Sequence, residues 1–420
     1  MWSTWETLLF AFGALLYAYW AYQMSIAVHG IRAQPLAPRA APNTRFAVLI
    51  PAHNEELVIG PLLDSLKAQT YARDRVTVYV SCDSCTDATS QIANEHGARV
   101  LIRDERIGAG KTANLRWALG QIPLDEHDAL VLFDADNLAR EDFLERMNDY
   151  LAAHREAQAV QGYLETKNPH DSWVTRVYAI SFWYTNQFWH RARSNAGLSV
   201  NLGGTGAVLR VHALREWGWS WESLADDLEL TCRIILGGGM VHWCDDAIAY
   251  DEKPVTARAS RFQRSRWLQG HYYLMARHAW PALSRFLRTG RRQYLDLFFH
   301  LLAPGRAATS YVTMFGGFAI LAVRWLLDPL WLAHDPLWWA WLTFPLFALA
   351  QTVLVLVVAP SLHAGRVELR YVPDVASFLA YGVRWIPSML SAIVASRSNH
   401  AWVKTEHTRS LSLDDLRRKH

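Results

Sequence analysis

The sequence predicts an α/β domain built on a parallel sheet, held between apolar helical segments towards both ends of the chain. Three observations carry that expectation. From residue 45 to residue 132, short apolar runs alternate with helical patterns, as strands joined by crossover helices do. Apolar residues make up 51% of the chain and charged residues 19%, less charge than a soluble domain usually carries, and the apolar excess lies outside this alternating region. Acidic and amide side chains recur where the predicted strands run out, and in such sheets ligands sit beyond the carboxyl ends of the strands.

The first apolar segment, residues 8–28, is uncharged and long enough to cross a bilayer core of roughly 30 Å. A cleaved signal peptide fits it poorly, because no basic residue precedes it and no small-x-small site follows. Arg32, Arg39 and Arg45 come next, so the positive-inside rule places the following domain in the cytosol. Pro35, Pro38 and Pro42 keep that connector extended.

Strands are expected at residues 45–50, 76–81 and 100–102, and each is followed by a loop that opens a helix. The strand at Leu130 ends in Asp134-Ala135-Asp136-Asn137. Two carboxylates one residue apart repel, and a divalent cation bound through oxygen, Mg2+ or Mn2+, relieves that repulsion while holding phosphates as well. The bland alternative is a polar turn capping a helix from Leu138. Asn54, Glu55, Asp83, Lys111, Asp134 and Asp136 all fall at strand ends, and a purely structural set would be scattered more evenly.

Later stretches are less regular. The glycine-rich turn Asn201-Leu202-Gly203-Gly204-Thr205-Gly206 lacks the spacing of either phosphate-binding fingerprint, and suits close approach of the backbone to something else. Asp226 and Asp227 open a helix, where acids also serve the helix dipole. A strand over residues 241–250 precedes a helix over residues 258–277 that is studded with arginine and carries Gln263-Arg264-Ser265-Arg266-Trp267. Such a helix suits a headgroup surface, with Trp267 as an interface anchor. Residues 307–323 and 336–362 read as spans, and residues 371–396, with Arg384 at the midpoint, as a re-entrant or interfacial helix pair. A net charge of +3 is too small to argue for nucleic acid, and four cysteines without finger spacing point to a reducing compartment. Cys82-x-x-Cys85 lacks a thioredoxin-like setting for a redox pair.

Six stretches in order, Pro51-Ala52-His53-Asn54-Glu55, Asp83-Ser84-Cys85-Thr86-Asp87, Gly110-Lys111, Asp134-Ala135-Asp136, Asp226-Asp227 and Gln263-Arg264-Ser265-Arg266-Trp267, resemble the family 2 glycosyltransferases. The likeness is to the membrane-integrated polysaccharide synthases of the cellulose, chitin, hyaluronan and poly-N-acetylglucosamine type, and it covers residues 45–280. It implies a GT-A fold and a nucleoside-diphosphate-sugar donor, most often UDP-linked. Asn54, Glu55, Asp83 and Lys111 would hold the nucleotide, and Asp134 and Asp136 the metal that bridges the diphosphate. Asp227 would be the general base. Gln263, Arg266 and Trp267 would line the acceptor end, with Asp226, Gly204 and Thr205 beside them. Ala225 and Asp226 depart from the family pattern, where Thr and Glu are common.

The chemistry fits those roles. Charge developing on a departing diphosphate calls for a cation, and the acceptor hydroxyl calls for a carboxylate within reach of its proton. A base opposite the leaving group gives inversion. The expected division is a membrane helix (1–30), a linker (31–44), a catalytic domain (45–255), interfacial helices (256–305), a C-terminal membrane region (306–396) and a cytosolic tail (397–420). The expected function is processive elongation of a β-linked polysaccharide by a multi-pass enzyme of a bacterial cell membrane, coupled to export. The rivals are single addition to a lipid or short glycan, and a catalytically silent scaffold or transporter.

Overall fold

The computed structural model describes residues 4–104, 110–218, 223–302, 306–331, 338–395 and 410–418. Strands β1 (Phe46–Ala52), β2 (Val76–Asp83), β3 (Arg99–Arg103), β4 (Ala129–Leu132), β5 (Leu138–Ala139), β6 (Ala159–Thr166), β7 (Ala207–Arg210) and β8 (Val241–Asp251) form one sheet. Its order is β3-β2-β1-β4-β7-β6-β8-β5. The first four strands of that order run parallel, as the alternation predicts. The parallel course expected from the alternation stops at β7, which lies antiparallel to both β4 and β6. The bland reading of a helix from Leu138 is corrected too, because Leu138 and Ala139 pair with Tyr250 and Ala249 as an edge strand.

Helices α1 (Thr4–Ala27), α2 (Ile59–Lys67), α3 (Thr89–Glu95), α4 (Lys111–Gln121), α5 (Phe143–Ala153), α6 (Trp173–Thr185), α7 (Ala192–Asn195), α8 (Val211–Trp217), α9 (Asp226–Leu236), α10 (Ala257–Thr289), α11 (Arg292–Leu301) and α12 (Arg306–Leu327) follow in order. The sheet is buried on both faces because its strands are apolar at consecutive positions. Phe46, Val48 and Ile50 face one core with Val131, Phe133 and the α2 side chains Ile59, Leu62, Leu63 and Leu66, spaced as one helical stripe. Ala47 and Leu49 face the other, with Leu115 of α4, Leu209, Ile234 of α9 and Trp243. With both faces covered, the carboxyl edge of β1, β2 and β4 is where the loops gather.

Among the described residues no helix is long and apolar enough to cross a membrane, which departs from the spans expected at residues 8–28, 307–323 and 336–362. Polar chemistry explains the first. Tyr22 of α1 donates to Asp296 at 3.1 Å, and Gln23 accepts from Arg193 at 2.8 Å, so the end of α1 docks on protein. Arg193 and Asp296 form a buried ion pair behind it. The third is interrupted: helix Trp338–Val353 has 16 residues and gives way to a π-helical turn at Leu354–Val358. Two helices, Val375–Val383 and Trp385–Ala395, stand where a helix pair was expected.

Candidate functional site

Beyond β4 the chain turns at Asp134–Asn137, with the Asn137 N–H donating to the Asp134 carbonyl at 3.1 Å. The turn gives its two acids different partners. Asp134 forms an ion pair with Lys111, the first residue of α4. Lys111 Nζ also donates to the Gly204 carbonyl at 3.0 Å. The Asp134 N–H is held by Thr205 Oγ1 at 3.1 Å. Gly204 has φ +76°, and a Cβ there would lie 3.5 Å from Asp227 Oδ2 and 3.7 Å from Lys111 Nζ. The glycine turn therefore threads backbone between the lysine and the second acid pair, a conformation that favours glycine.

Asp226 and Asp227 begin α9. Thr231 ties that helix to the glycine turn, donating to the Asp227 carbonyl at 2.8 Å and accepting from the Leu202 N–H at 3.0 Å. Helix α10 crosses close by. A Cβ on its Gly270 would fall 2.6 Å from the Ala225 nitrogen, so only glycine fits where α10 meets the segment leading into the acids.

These charges perturb one another. Burial, and then the Asp226 carboxylate, push the Asp227 carboxyl up to about 7, against the pull of the Leu228 N–H and Lys111. Burial also raises Asp134, which Lys111 opposes while Asp251 and Asp226 reinforce it. For Lys111 burial disfavours the charge, but Asp134, Asp226 and Asp227 outweigh it and hold the ammonium above its ordinary value. A lysine among such acids stays protonated.

Asp136 faces Asn137, whose Nδ2 donates to Asp136 Oδ1 and to Asp251 Oδ1, each at 3.2 Å. Asp251, at the end of β8, pairs with Lys253, whose Nζ lies 3.3 Å from the Phe182 ring centroid. Buried Lys167 donates to the Asp136 carbonyl at 2.9 Å. Asn137, Lys167, Asp251 and Lys253 are given no role by the sequence reading. The signal was present for Asp251, which ends a predicted strand, but not the fact that β8 runs parallel to β6 and so delivers that end to the same edge.

The loops after β1 and β2 interlock. Asn54, at φ 56°, accepts from the Thr86 N–H at 2.7 Å, and the Glu55 N–H donates to Thr89 Oγ1 at 2.7 Å. Asp83 accepts from Arg103 at 2.7 Å across β2 and β3, and both side chains are buried. Arg103 was also missed, lying in a strand too short to show its partner. At the acceptor end, Gln263 accepts from the Tyr178 hydroxyl at 3.1 Å and Trp267 sits edge-on to the same ring. Arg264 is buried, 4.5 Å over the Tyr381 ring. The structure thus joins Lys111, Asp134, Gly204, Thr205, Asp226 and Asp227 in one cluster. Asp136 lies one hydrogen bond away, through Asn137. Asn54, Glu55 and Asp83 lie further along the same edge, and Gln263 and Trp267 group around Tyr178.

A sheet of this order, with acids and a lysine gathered at its carboxyl edge, defines a GT-A-like glycosyltransferase domain. The chain belongs to the family described as "Glycosyltransferase like family 2", which matches residues 42–270. It is a glycosyltransferase, consistent with a hexosyltransferase. The probable glycosyltransferase YdaM of Bacillus subtilis is 26% identical over 310 residues, 70% of this chain and 72% of that protein. A beta-monoglucosyldiacylglycerol synthase of Synechocystis is 26% identical over 316 residues, covering 70% of this chain and 63% of its own length. A probable glucomannan 4-beta-mannosyltransferase of Arabidopsis thaliana is 28% identical over 241 residues, 54% of this chain but 43% of that protein. In fold, the chain is similar to a mannosyltransferase of Pyrobaculum calidifontis solved with GDP-Man and Mn2+. That likeness has a TM-score of 0.53 and 22% identity, and covers 92% of this chain and 94% of the other.

Proposed function

We propose that the protein is an inverting, metal-dependent hexosyltransferase that moves a sugar from a nucleoside diphosphate to an acceptor hydroxyl. The acceptor is a growing β-linked glycan at a lipid surface. The observation that carries this reading is the cluster of Lys111, Asp134, Asp226 and Asp227 around the glycine turn. Asp227 is the base. A carboxyl with a pKa of about 7 is matched to taking a proton from an alcohol, and the acids on β4 are otherwise engaged. Lys111 is placed to face the leaving diphosphate, and the interlocked loops carrying Asn54, Glu55 and Asp83 to seat the nucleoside.

Among the described residues no three His, Cys, Asp or Glu side chains form a ready metal cage. The donor set nonetheless fits a hard dication completed by phosphate oxygens: carboxylates on Asp134 and Asp136, with the Asp251 carboxylate adding to the same field. Asp134 and Asp136 would hold it, and when bound it would supply positive charge to the departing diphosphate. That the Pyrobaculum enzyme was solved with Mn2+ and a nucleotide sugar supports the reading without choosing between Mn2+ and Mg2+, or between UDP and GDP.

The indole of Trp267, backed by Tyr178, supports a pyranose face while leaving a chain free to slide, which favours elongation. A second reading, one sugar added to a lipid or short glycan, draws on the apolar surface of the C-terminal helices, where Leu326 and Leu327 are 73% and 79% exposed. The same surface, with exposed Arg258, Phe262 and Trp280 on α10, supports placement at a cell membrane with the cleft on the cytosolic side.

Purified chain screened against a panel of nucleotide sugars with Mn2+ and Mg2+, following release of nucleoside diphosphate, tests the reaction. Metal-stimulated release that increases with a glycan acceptor is expected, and no release from any donor would end the proposal. Product length then separates elongation from single addition.

A further inference from the structure

We propose that Lys111 occupies the cation position of the acid cluster until a diphosphate draws it away, so that nucleotide and divalent metal bind cooperatively and neither binds well alone. The proposal rests on the metal-dependent reading above and goes beyond it, because it assigns the resting state of the site. Lys111 Nζ pairs with Asp134, one of the two acids that would hold the metal. Its second contact, the Gly204 carbonyl at 3.0 Å, fixes the ammonium over the glycine turn, beside the carboxylate of Asp227. Asp226 and Asp227 add their negative field to the same ammonium.

An ammonium and a dication repel strongly at such spacing, so they compete for the field of Asp134. Metal entering the empty cleft must therefore displace the lysine from a group that suits it well. A diphosphate changes the competition. It offers an ammonium with three donors new oxygen acceptors, and Lys111 can turn to them without giving up Gly204. Asp134 is then released, and phosphate oxygens complete the coordination of the incoming ion. Because linkage is reciprocal, metal must raise nucleotide affinity by the factor that nucleotide raises metal affinity. The arrangement also keeps the acids partly neutralised between turnovers.

The test uses the full chain and Mn2+ titrations followed by electron paramagnetic resonance, with and without UDP or GDP, on wild type, Lys111→Gln and Lys111→Arg. Without nucleotide, Lys111→Gln is expected to bind Mn2+ about tenfold or more tightly than wild type, while Lys111→Arg, which keeps the charge, stays near wild type. Adding nucleotide should tighten Mn2+ on wild type by about tenfold or more, and on Lys111→Gln by much less. Equal Mn2+ affinity of wild type and Lys111→Gln in the absence of nucleotide overturns the proposal while leaving the metal-dependent reading intact. Failure of wild type to bind Mn2+ even with either nucleotide overturns both. Thermal melts of each variant show whether the fold is kept; if Lys111→Gln does not fold, wild type carries the test, and Mn2+ affinity unchanged by nucleotide overturns the proposal.

Discussion

The two halves of the sheet's carboxyl edge are built on opposite electrostatic plans. On the β1–β2 side the loops bond to one another: the Asn54 side chain accepts from Thr86, the Glu55 backbone N–H donates to Thr89, and the Asp83 carboxylate pairs with Arg103. On the β4 side, Asp134, Asp226 and Asp227 crowd around Lys111, and burial raises the Asp134 and Asp227 carboxyls from their ordinary values. On the proposed function, the first half is a preformed seat, while the second holds negative charge in reserve for a reaction. A site that must bind one part of a substrate tightly and do chemistry on another gains from separating these tasks along one edge.

Breaking the reactive half should cost most in rate. Asp227→Asn is expected to lower kcat by roughly 100- to 10,000-fold while leaving nucleotide affinity nearly unchanged, measured by nucleoside diphosphate release and calorimetry. Breaking the preformed half should cost stability instead. Arg103→Met leaves Asp83 buried without its cation, an expected loss of about 3–5 kcal/mol in denaturant unfolding. An equal loss of rate from both changes, with no loss of stability, would erase the distinction.

A smaller effect sharpens the link between α10 and the acids. Gly270→Ala forces a methyl group against the backbone of Ala225, so about 1–3 kcal/mol of stability should go, together with turnover, even though Gly270 lies outside the acid cluster. The mildest test is pH. An Asp227 pKa of about 7 means the base is neutral below that value and ionised above it, so kcat/KM should fall about tenfold per unit as pH drops below about 7. Loss of that acid limb in the residual activity of Asp227→Asn would assign it.

The strand-end acids were legible because apolar runs and crossover helices force parallel strands to share an edge. Asn54, Glu55, Asp83, Lys111, Asp134 and Asp136 could be placed there from sequence alone, whereas Asp227 reads as opening a helix and gains its role only through the family resemblance. What sequence could not show was direction. The antiparallel course of β7 reverses the chain beside β4, and the parallel course of β8 brings Asp251 to Asn137. Arg103 and Gly270 act through partners about 20 and 45 residues away, at spacings set by tertiary packing. The apolar segments misled for a related reason. Composition counts Tyr22 and Gln23 as tolerable in a span, whereas the fold uses both to hold Asp296 and Arg193.

Helix α10 grips the C-terminal helices as firmly as it grips the acids, through Gln269 to the Ala395 carbonyl at 2.9 Å and Arg264 to the Tyr381 carbonyl at 3.4 Å. One long helix thus has its middle wedged against Ala225, two residues before Asp227, and its flank bonded to the C-terminal helices. A detergent, lipid or neighbouring chain that tilts those outer helices will tilt the floor of the cleft with them.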